Sequence, residues 1–343
     1  MRNILLLSDS TAPWHSVWIR IGQYAELWPY KIYPSVWITR NTCGEIQGVN
    51  NKGELSPPCD GILLYRWTPK SGNADWVIEA IREGFPIIAD VDDNLWQAGG
   101  SWTRKRLKYF SEIMNEVDAI TCSSENLKWM LQAMFKTKEI VRINNCGPDK
   151  INNERIKIEP IRIGWTGAPW TRPKDLLEIK ELTKWLQKKE YVQLVHIGHL
   201  PNKSSMAEIL DIPPDAIEKH PLMPYGDYIK HLQFDIGLAP LSRNNFNSFK
   251  SDLKVVEYSS QSIAWIASCC DPYEDLCSEW GLSGRLCSHP EDWIKHCKEL
   301  ITENRYIEEG KELQLKCNAR RSKTETAKIW QELIEKVFEK KNI

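Results

Sequence analysis

The chain has 343 residues, of which 45 are Lys or Arg and 46 are Asp or Glu, for a formal net charge of −1. So even a balance provides no overall field to recruit nucleic acid or an acidic membrane, and any anion site must be local. The length exceeds what one hydrophobic core usually supports, so two domains of about 150 to 180 residues are expected.

From the N-terminus, MRNILLLSDS sets one Arg before a short apolar run, too short for the core of a signal peptide. Nowhere do about 18 apolar residues run together, so no transmembrane segment is expected. The ten cysteines are scattered, with no CxxC pair, and Cys269 and Cys270 are adjacent and poorly placed to bridge each other. They read as reduced thiols in a cytoplasmic protein.

Strands are predicted at 3–8, 33–39, 61–67, 86–91, 118–124 and 139–144, with helices at 16–28, 73–84, 102–116 and 124–135. That alternation argues for a parallel sheet covered by helices. The loop after the first strand, SDSTAPWHSVWIR, offers Trp14 to stack on a ring, His15 to polarise a hydroxyl and Arg20 to reach a phosphate. The fourth strand runs into Asp90, Asp92 and Asp93; the last two would order hydroxyls or a loop.

Residues 145–160 lose hydrophobic periodicity and collect Asn, Pro, Gly and charge, as a linker does. A second series follows, with strands at 161–166, 192–198, 234–241 and 263–268 and helices at 174–188, 225–232, 250–260 and 272–280. From 290 onward the chain reads as helical, and its last segment puts Trp330, Ile334, Val337 and Phe338 on one face. The fold class is α/β: two facing Rossmann-like domains, over 1–150 and 161–320, with a C-terminal helix at 321–343. Open sheets of this kind bind ligands beyond the carboxyl ends of their strands, which predicts a cleft.

The stretch FDIGLAPLSRNNFNSFKSDLKVVEY, 234–258, carries the chemistry. A loop that only reversed the chain would not need Asn247, Lys250, Ser251, Lys254 and Glu257 directly after a buried strand. If Lys250 opens a helix, Lys254 and Glu257 follow at i+4 and i+7 on one face near its positive end. A diphosphate would sit on the lysines and the Ser251 backbone, and the Glu257 carboxylate would accept two hydrogen bonds from vicinal ribose hydroxyls. The alternative is a solvated helix with a Lys254–Glu257 pair worth a few tenths of a kcal/mol. His196 and His199 sit at a strand end with no third ligand nearby, and no metal site is expected.

The runs DIGLAPL, FNSFKSDLKVVEY, IAWIAS and PYEDL, together with RIGWTGAPWTRPKDL and GLSGRLCSHPEDWIKHCKEL, resemble the donor domain of GT-B glycosyltransferases of the glycosyl transferase group 1 type. That resemblance implies an enzyme that moves a sugar from a nucleotide diphosphate sugar to a hydroxyl acceptor on a glycan, lipid or protein. It further implies retention at the anomeric carbon and no metal or other cofactor. Glu257 would bind the ribose, Lys254 or Lys250 the phosphates, Gly167 would let the backbone approach the pyrophosphate, and Arg172 and Lys174 would add charge there. Residues 1–150 would be the acceptor side and 161–320 the donor side. Asp90 and Asp92 superficially match the metal-binding pair of GT-A enzymes, but the donor signals lie in the second half. Two departures stand out: Phe249 occupies the place of a sugar-contacting glutamate, and Ser262-Ile263-Ala264 replaces the usual Gly-x-Pro turn. They keep two alternatives open: a sugar-nucleotide epimerase on the same fold, and a degenerate nucleotide-sugar-binding protein.

Overall fold

The computed structural model describes residues 1–8, 16–67, 74–98, 103–149 and 159–341. The chain divides into two compact units: residues 1–145, 249–251 and 323–343 form unit 1, and 146–248 with 252–322 form unit 2.

In unit 1 the strands are β1 (Arg2–Leu7), β2 (Tyr30–Ser35), β3 (Trp37–Arg40), β4 (Ile46–Val49), β5 (Gly61–Tyr65), β6 (Ile87–Val91), β7 (Ala119–Cys122) and β8 (Glu139–Arg142). Six of them form a parallel sheet in the order β2-β1-β5-β6-β7-β8, while β3 and β4 make an antiparallel pair. The near-continuous aliphatic runs of β1, β5 and β6 suit strands buried on both faces. The strand expected at 33–39 is two strands. Val36 turns its N–H to Val49 at 2.9 Å, and Pro34 sits in β2 at the sheet edge, where a missing donor is tolerated.

The helix expected at 16–28 is also shorter. It runs Ser16–Arg20 and tightens into a 3-10 turn over Gly22–Leu27, where a Cβ on Gly22 would meet the Trp18 ring at 2.6 Å. Arg20 does not reach toward a phosphate. Its side chain is 2% exposed and forks onto Asp90, with Nε–Oδ2 at 3.0 Å and Nη2–Oδ1 at 2.7 Å, and it also donates to the Ile143 carbonyl and Asn145. Asp90 in turn accepts from Thr121 Oγ1 at 2.6 Å. This removes Asp90 from any metal pair with Asp92.

The last helix, Lys323–Lys340, is counted with unit 1. It buries Trp330, Ile334, Val337 and Phe338 on one stripe, and Trp28 donates its indole N–H to the Ala327 carbonyl at 2.9 Å. Each such apolar side chain contributes about 1.5–3 kcal/mol by leaving water.

Unit 2 holds β9 (Ile161–Thr166), β10 (Val192–His199), β11 (Ile217–Pro221), β12 (Ile236–Ala239), β13 (Ala264–Ser268) and β14 (Leu286–Cys287), all parallel, in the order β11-β10-β9-β12-β13-β14. Counted within this unit the order is third, second, first, fourth, fifth, sixth, the doubly wound arrangement whose direction of winding switches between β9 and β12. The helix expected at 174–188 breaks into Pro173–Leu177 and Lys180–Leu186. The helix Met206–Leu210, absent from the sequence expectations, has the Ser205/Glu208 capping box that its SMAE run encodes.

Ser262, where the family turn would carry glycine, has φ +58° and a buried hydroxyl without a hydrogen-bond partner among the described residues. Its carbonyl packs so closely on Gly310 that a Cβ there would come within 2.2 Å of it. A side chain in this region costs about 1–2 kcal/mol, more than the roughly 0.4–1 kcal/mol of unfolded-state entropy that glycine adds. Ser262→Gly is therefore expected to stabilise unit 2 by about 1 kcal/mol, read as a raised calorimetric transition; a lowered transition would contradict the strain.

Candidate functional site

At the switch between β9 and β12 the first strand ends in Trp165-Thr166-Gly167, and the helix Leu253–Ser260 follows β12. Lys254 and Glu257 lie on that helix, three residues apart, and both meet the end of β9. Lys254 Nζ donates to the Thr166 carbonyl and, at 3.0 Å, to Thr166 Oγ1, and it stands 5.5 Å from the centre of the Trp165 ring. Glu257 is 5% exposed. Its Oε2 accepts from the Tyr228 hydroxyl at 2.9 Å, which also sits 3.3 Å from Thr166 Oγ1. Burial pushes the Glu257 carboxyl up to about 7, against the opposing pull of Lys254 and Tyr228. A carboxylate kept this dry gains strongly from any ligand that brings it hydrogen-bond donors.

The loop after β9 is built for close approach. Gly167 has φ +142° and Gly198, at the end of β10, has φ +116°; a Cβ on Gly198 would meet the Gly167 carbonyl at 2.4 Å. His196 holds the same carbonyl at 3.0 Å. Because a carbonyl only accepts, Nε2 carries the proton. Burial pulls the His196 pKa to about 4, so the ring is neutral, and it stacks on Trp165 with centroids 5.3 Å apart. Among the described residues no three His, Cys, Asp or Glu side chains are placed to hold a metal ion.

Arg172 and Lys174 open the next helix at the surface, and Arg172 lies 3.9 Å from Asp175. Asp175 is buried and accepts from Ser242 N, Ser242 Oγ and Asn247 Nδ2 at 2.7–2.9 Å. Asn247 thus braces its own loop, donating also to the Ser242 carbonyl at 2.8 Å.

The helix starts at Leu253, not Lys250, which corrects the expected shared face of Lys250, Lys254 and Glu257. Two contacts draw the residues before it away from helical geometry. Lys250 Nζ bonds Asp93 Oδ1 at 3.0 Å, and Ser251 Oγ accepts from Asn145 Nδ2 at 2.9 Å, all within unit 1. Asp252 precedes the helix without capping it, because its carboxylate takes Arg321 at 2.7 Å. Phe249 packs against the apolar core of unit 1, and its carbonyl accepts from Ser124 at 2.8 Å.

Asp92 and Asp93 form a second group in unit 1. Asp92 accepts from Tyr65 at 2.7 Å and from Arg66 Nε, and Asp93 Oδ2 accepts from Arg66 Nη2 at 2.6 Å. Burial raises the Asp92 pKa, with Arg66 opposing. Arg66 itself has φ +45°, a strained conformation for a side chain this large. Trp14 and His15 lie outside the described residues.

Among known structures the chain is similar to sucrose-phosphate synthase from Thermosynechococcus elongatus, at 10% identity and TM-score 0.63, covering 98% of this chain and 99% of that one. It is also similar to TarM, at 13% identity and TM-score 0.58, covering 88% and 69%. A third is the UDP-GlcNAc 2-epimerase of Neisseria meningitidis, whose structure is bound to UDP-GlcNAc, at 12% identity and TM-score 0.56, covering 98% and 100%. The fold is GT-B. No protein-family model and no curated protein sequence matches the chain. Within this GT-B fold, Tyr228, Thr166, Trp165 and His196 join the expected Gly167, Lys254 and Glu257, while Lys250 and Ser251 stand with Asp93 and Asn145 in unit 1. Sequence reasoning missed Tyr228 because a tyrosine on a short helix has no local signature of the carboxylate it serves; only the topology brings them together. No helix among the described residues is long and apolar enough to cross a membrane.

Proposed function

We propose that this protein is a glycosyltransferase that takes a sugar from a nucleoside diphosphate sugar and passes it to a hydroxyl acceptor, with retention and without a metal. The observation that carries the reading is Glu257. It is a buried carboxylate, bonded by Tyr228 and standing beside a glycine loop at the switch point of a doubly wound sheet, where such folds bind nucleotides. The carboxylate would accept the two ribose hydroxyls. Gly167 would let the backbone lie against the pyrophosphate, and Lys254 would exchange the Thr166 carbonyl for a phosphate oxygen. As the bond to the sugar breaks, negative charge grows on the departing phosphate, and Lys254, with Arg172 and Lys174 at the loop's exposed edge, would stabilise it. Lys250, bonded to Asp93, is left out of this set. Asp92, Asp93 and His15 are assigned to the acceptor side.

Titrating the protein with nucleoside diphosphates and their sugars in thermal-shift assays tests the donor half. A true donor at 100 times its dissociation constant should add about 2.7 kcal/mol of stability, and release of free nucleoside diphosphate on adding an acceptor tests the transfer. Lys254→Ala should lower kcat about a hundredfold while changing the affinity for the nucleoside diphosphate less than tenfold, since the missing charge matters most as the phosphate departs. A loss of affinity with kcat unchanged would make Lys254 a binding residue only.

A second reading, sugar-nucleotide epimerase, is favoured by the likeness over 98% of this chain and 100% of the epimerase. Incubation with donor alone separates the two, because an epimerase forms its product with no acceptor present.

A further inference from the structure

Beside the Lys254–Glu257 site, unit 2 has a second feature: a pocket of about 280 Å³ beyond the ends of β12 and β13. It falls below the range of about 300–1,000 Å³ typical of drug-sized ligands, which suits a single ring. Its walls include Ser242, Arg243, Asn244, Asn247, Asp271 and Glu274, with no aromatic side chain. Donors and acceptors are mixed. A lone phosphate would face two carboxylates, and a nucleobase would find no aromatic ring to stack on. The chemistry that fits is a neutral ring carrying several hydroxyls.

Two of these side chains have hydrogen-bonding capacity to spare. Arg243 spends Nε on the Cys269 carbonyl at 2.9 Å and Nη2 on Ser288 at 3.3 Å, and its Nη1 bonds nothing among the described residues. Glu274 accepts the Cys269 thiol on Oε1 at 3.1 Å, and its Oε2 bonds nothing among the described residues. The pocket's position matters too. It lies at the carboxyl ends of β12, the strand beside the β9–β12 step, and of β13, and Asn247 on its wall donates at 2.9 Å to Asp175 of the helix that Arg172 and Lys174 open. Phe249, at the place of the family's sugar-contacting carboxylate, packs against the apolar core of unit 1, and its side chain offers no acceptor.

We infer that this pocket holds the sugar ring of the donor, with Glu274 and Arg243 as its hydroxyl-binding residues in place of a carboxylate at Phe249. The inference rests on the donor reading given under Proposed function. Cys269, partly exposed on the pocket wall, supplies a probe, and Cys43, exposed on the β3–β4 turn of unit 1, supplies an internal control. The test measures the rate of N-ethylmaleimide labelling at both cysteines by peptide mass spectrometry. The full chain is used alone, with UDP or GDP, and with UDP-glucose, UDP-N-acetylglucosamine or GDP-mannose, and thermal shift is followed in parallel.

The expected result is that a nucleoside diphosphate that stabilises the protein leaves Cys269 labelling within twofold, that one of its sugar forms slows labelling at least fivefold, and that Cys43 does not change. Glu274→Gln and Arg243→Ala should keep the affinity for the nucleoside diphosphate and lose the additional protection. If the diphosphate binds but no sugar form protects Cys269 further, the pocket is not the sugar site and the donor reading stands. If none of these nucleotides binds, the donor reading fails and the pocket's assignment goes with it.

Discussion

Replacing Arg20 with leucine is expected to destabilise unit 1 by about 3–5 kcal/mol, because it leaves the carboxylate of Asp90, 1% exposed, without its cation. The loss has two parts. Asp90 keeps Thr121 as a donor but loses both arms of the fork, and the Ile143 carbonyl and Asn145 lose a donor as well. The pair itself is a weak source of stability, since taking both ions out of water offsets most of their attraction. Arg20→Leu combined with Asp90→Leu should therefore recover most of what the single change loses. Calorimetry on the full chain reads this as a transition that drops in the single variant and returns in the double. If Arg20→Leu melted like the parent, Arg20 would be free to serve a ligand, as the sequence suggested.

Arg20 shows why the sequence was legible in some places and not in others. Strand periodicity is a local property, so β1, β5, β6 and β9 stand within a residue or two of where aliphatic runs place them. The helix carrying Lys254 and Glu257 was legible for the same reason, and Gly167, which the resemblance to GT-B donor domains singled out, has φ +142°, a value only glycine tolerates comfortably. What a charged side chain pairs with is not local. Arg20 and Asp90 are 70 positions apart, Lys250 and Asp93 157 apart, and Tyr228 and Glu257 29 apart. Nothing in the spacing of FNSFKSDLKVVEY distinguishes a lysine that opens a helix from one drawn aside to an aspartate in another part of the chain. The start of the helix was misread for that reason: Lys250 and Ser251 take partners in unit 1, and Asp252, the residue best suited to cap, gives its carboxylate to Arg321.

Glu257 carries the expectation with the largest functional consequence. Glu257→Gln should weaken binding of the nucleoside diphosphate about tenfold to a hundredfold, corresponding to roughly 1.5–3 kcal/mol for a charge-assisted contact reduced to a neutral one. The pH dependence of binding separates this role from a merely structural one. In the ligand-free protein burial holds the Glu257 carboxyl at about 7 against an ordinary 4.5, so between those values the folded state binds more protons than the unfolded chain. This group's contribution to stability is then fully present below about 4.5 and is lost as pH rises through about 7. Nucleotide binding should run the other way, because the ribose hydroxyls donate to the ionised form. Affinity should rise about tenfold from pH 6 to pH 8 and then level off, and near pH 7 binding should release part of a proton. Isothermal titration in buffers of different ionisation enthalpy measures that proton. The nucleotide's own phosphate titrates in the same region, so the diagnostic quantity is the difference between parent and variant. Glutamine at 257 should remove the part of the release and of the pH slope that belongs to the protein, at nearly unchanged fold. If parent and Glu257→Gln bind with the same affinity and the same proton release, Glu257 is a buried helix residue serving Tyr228, and the ribose must be held elsewhere.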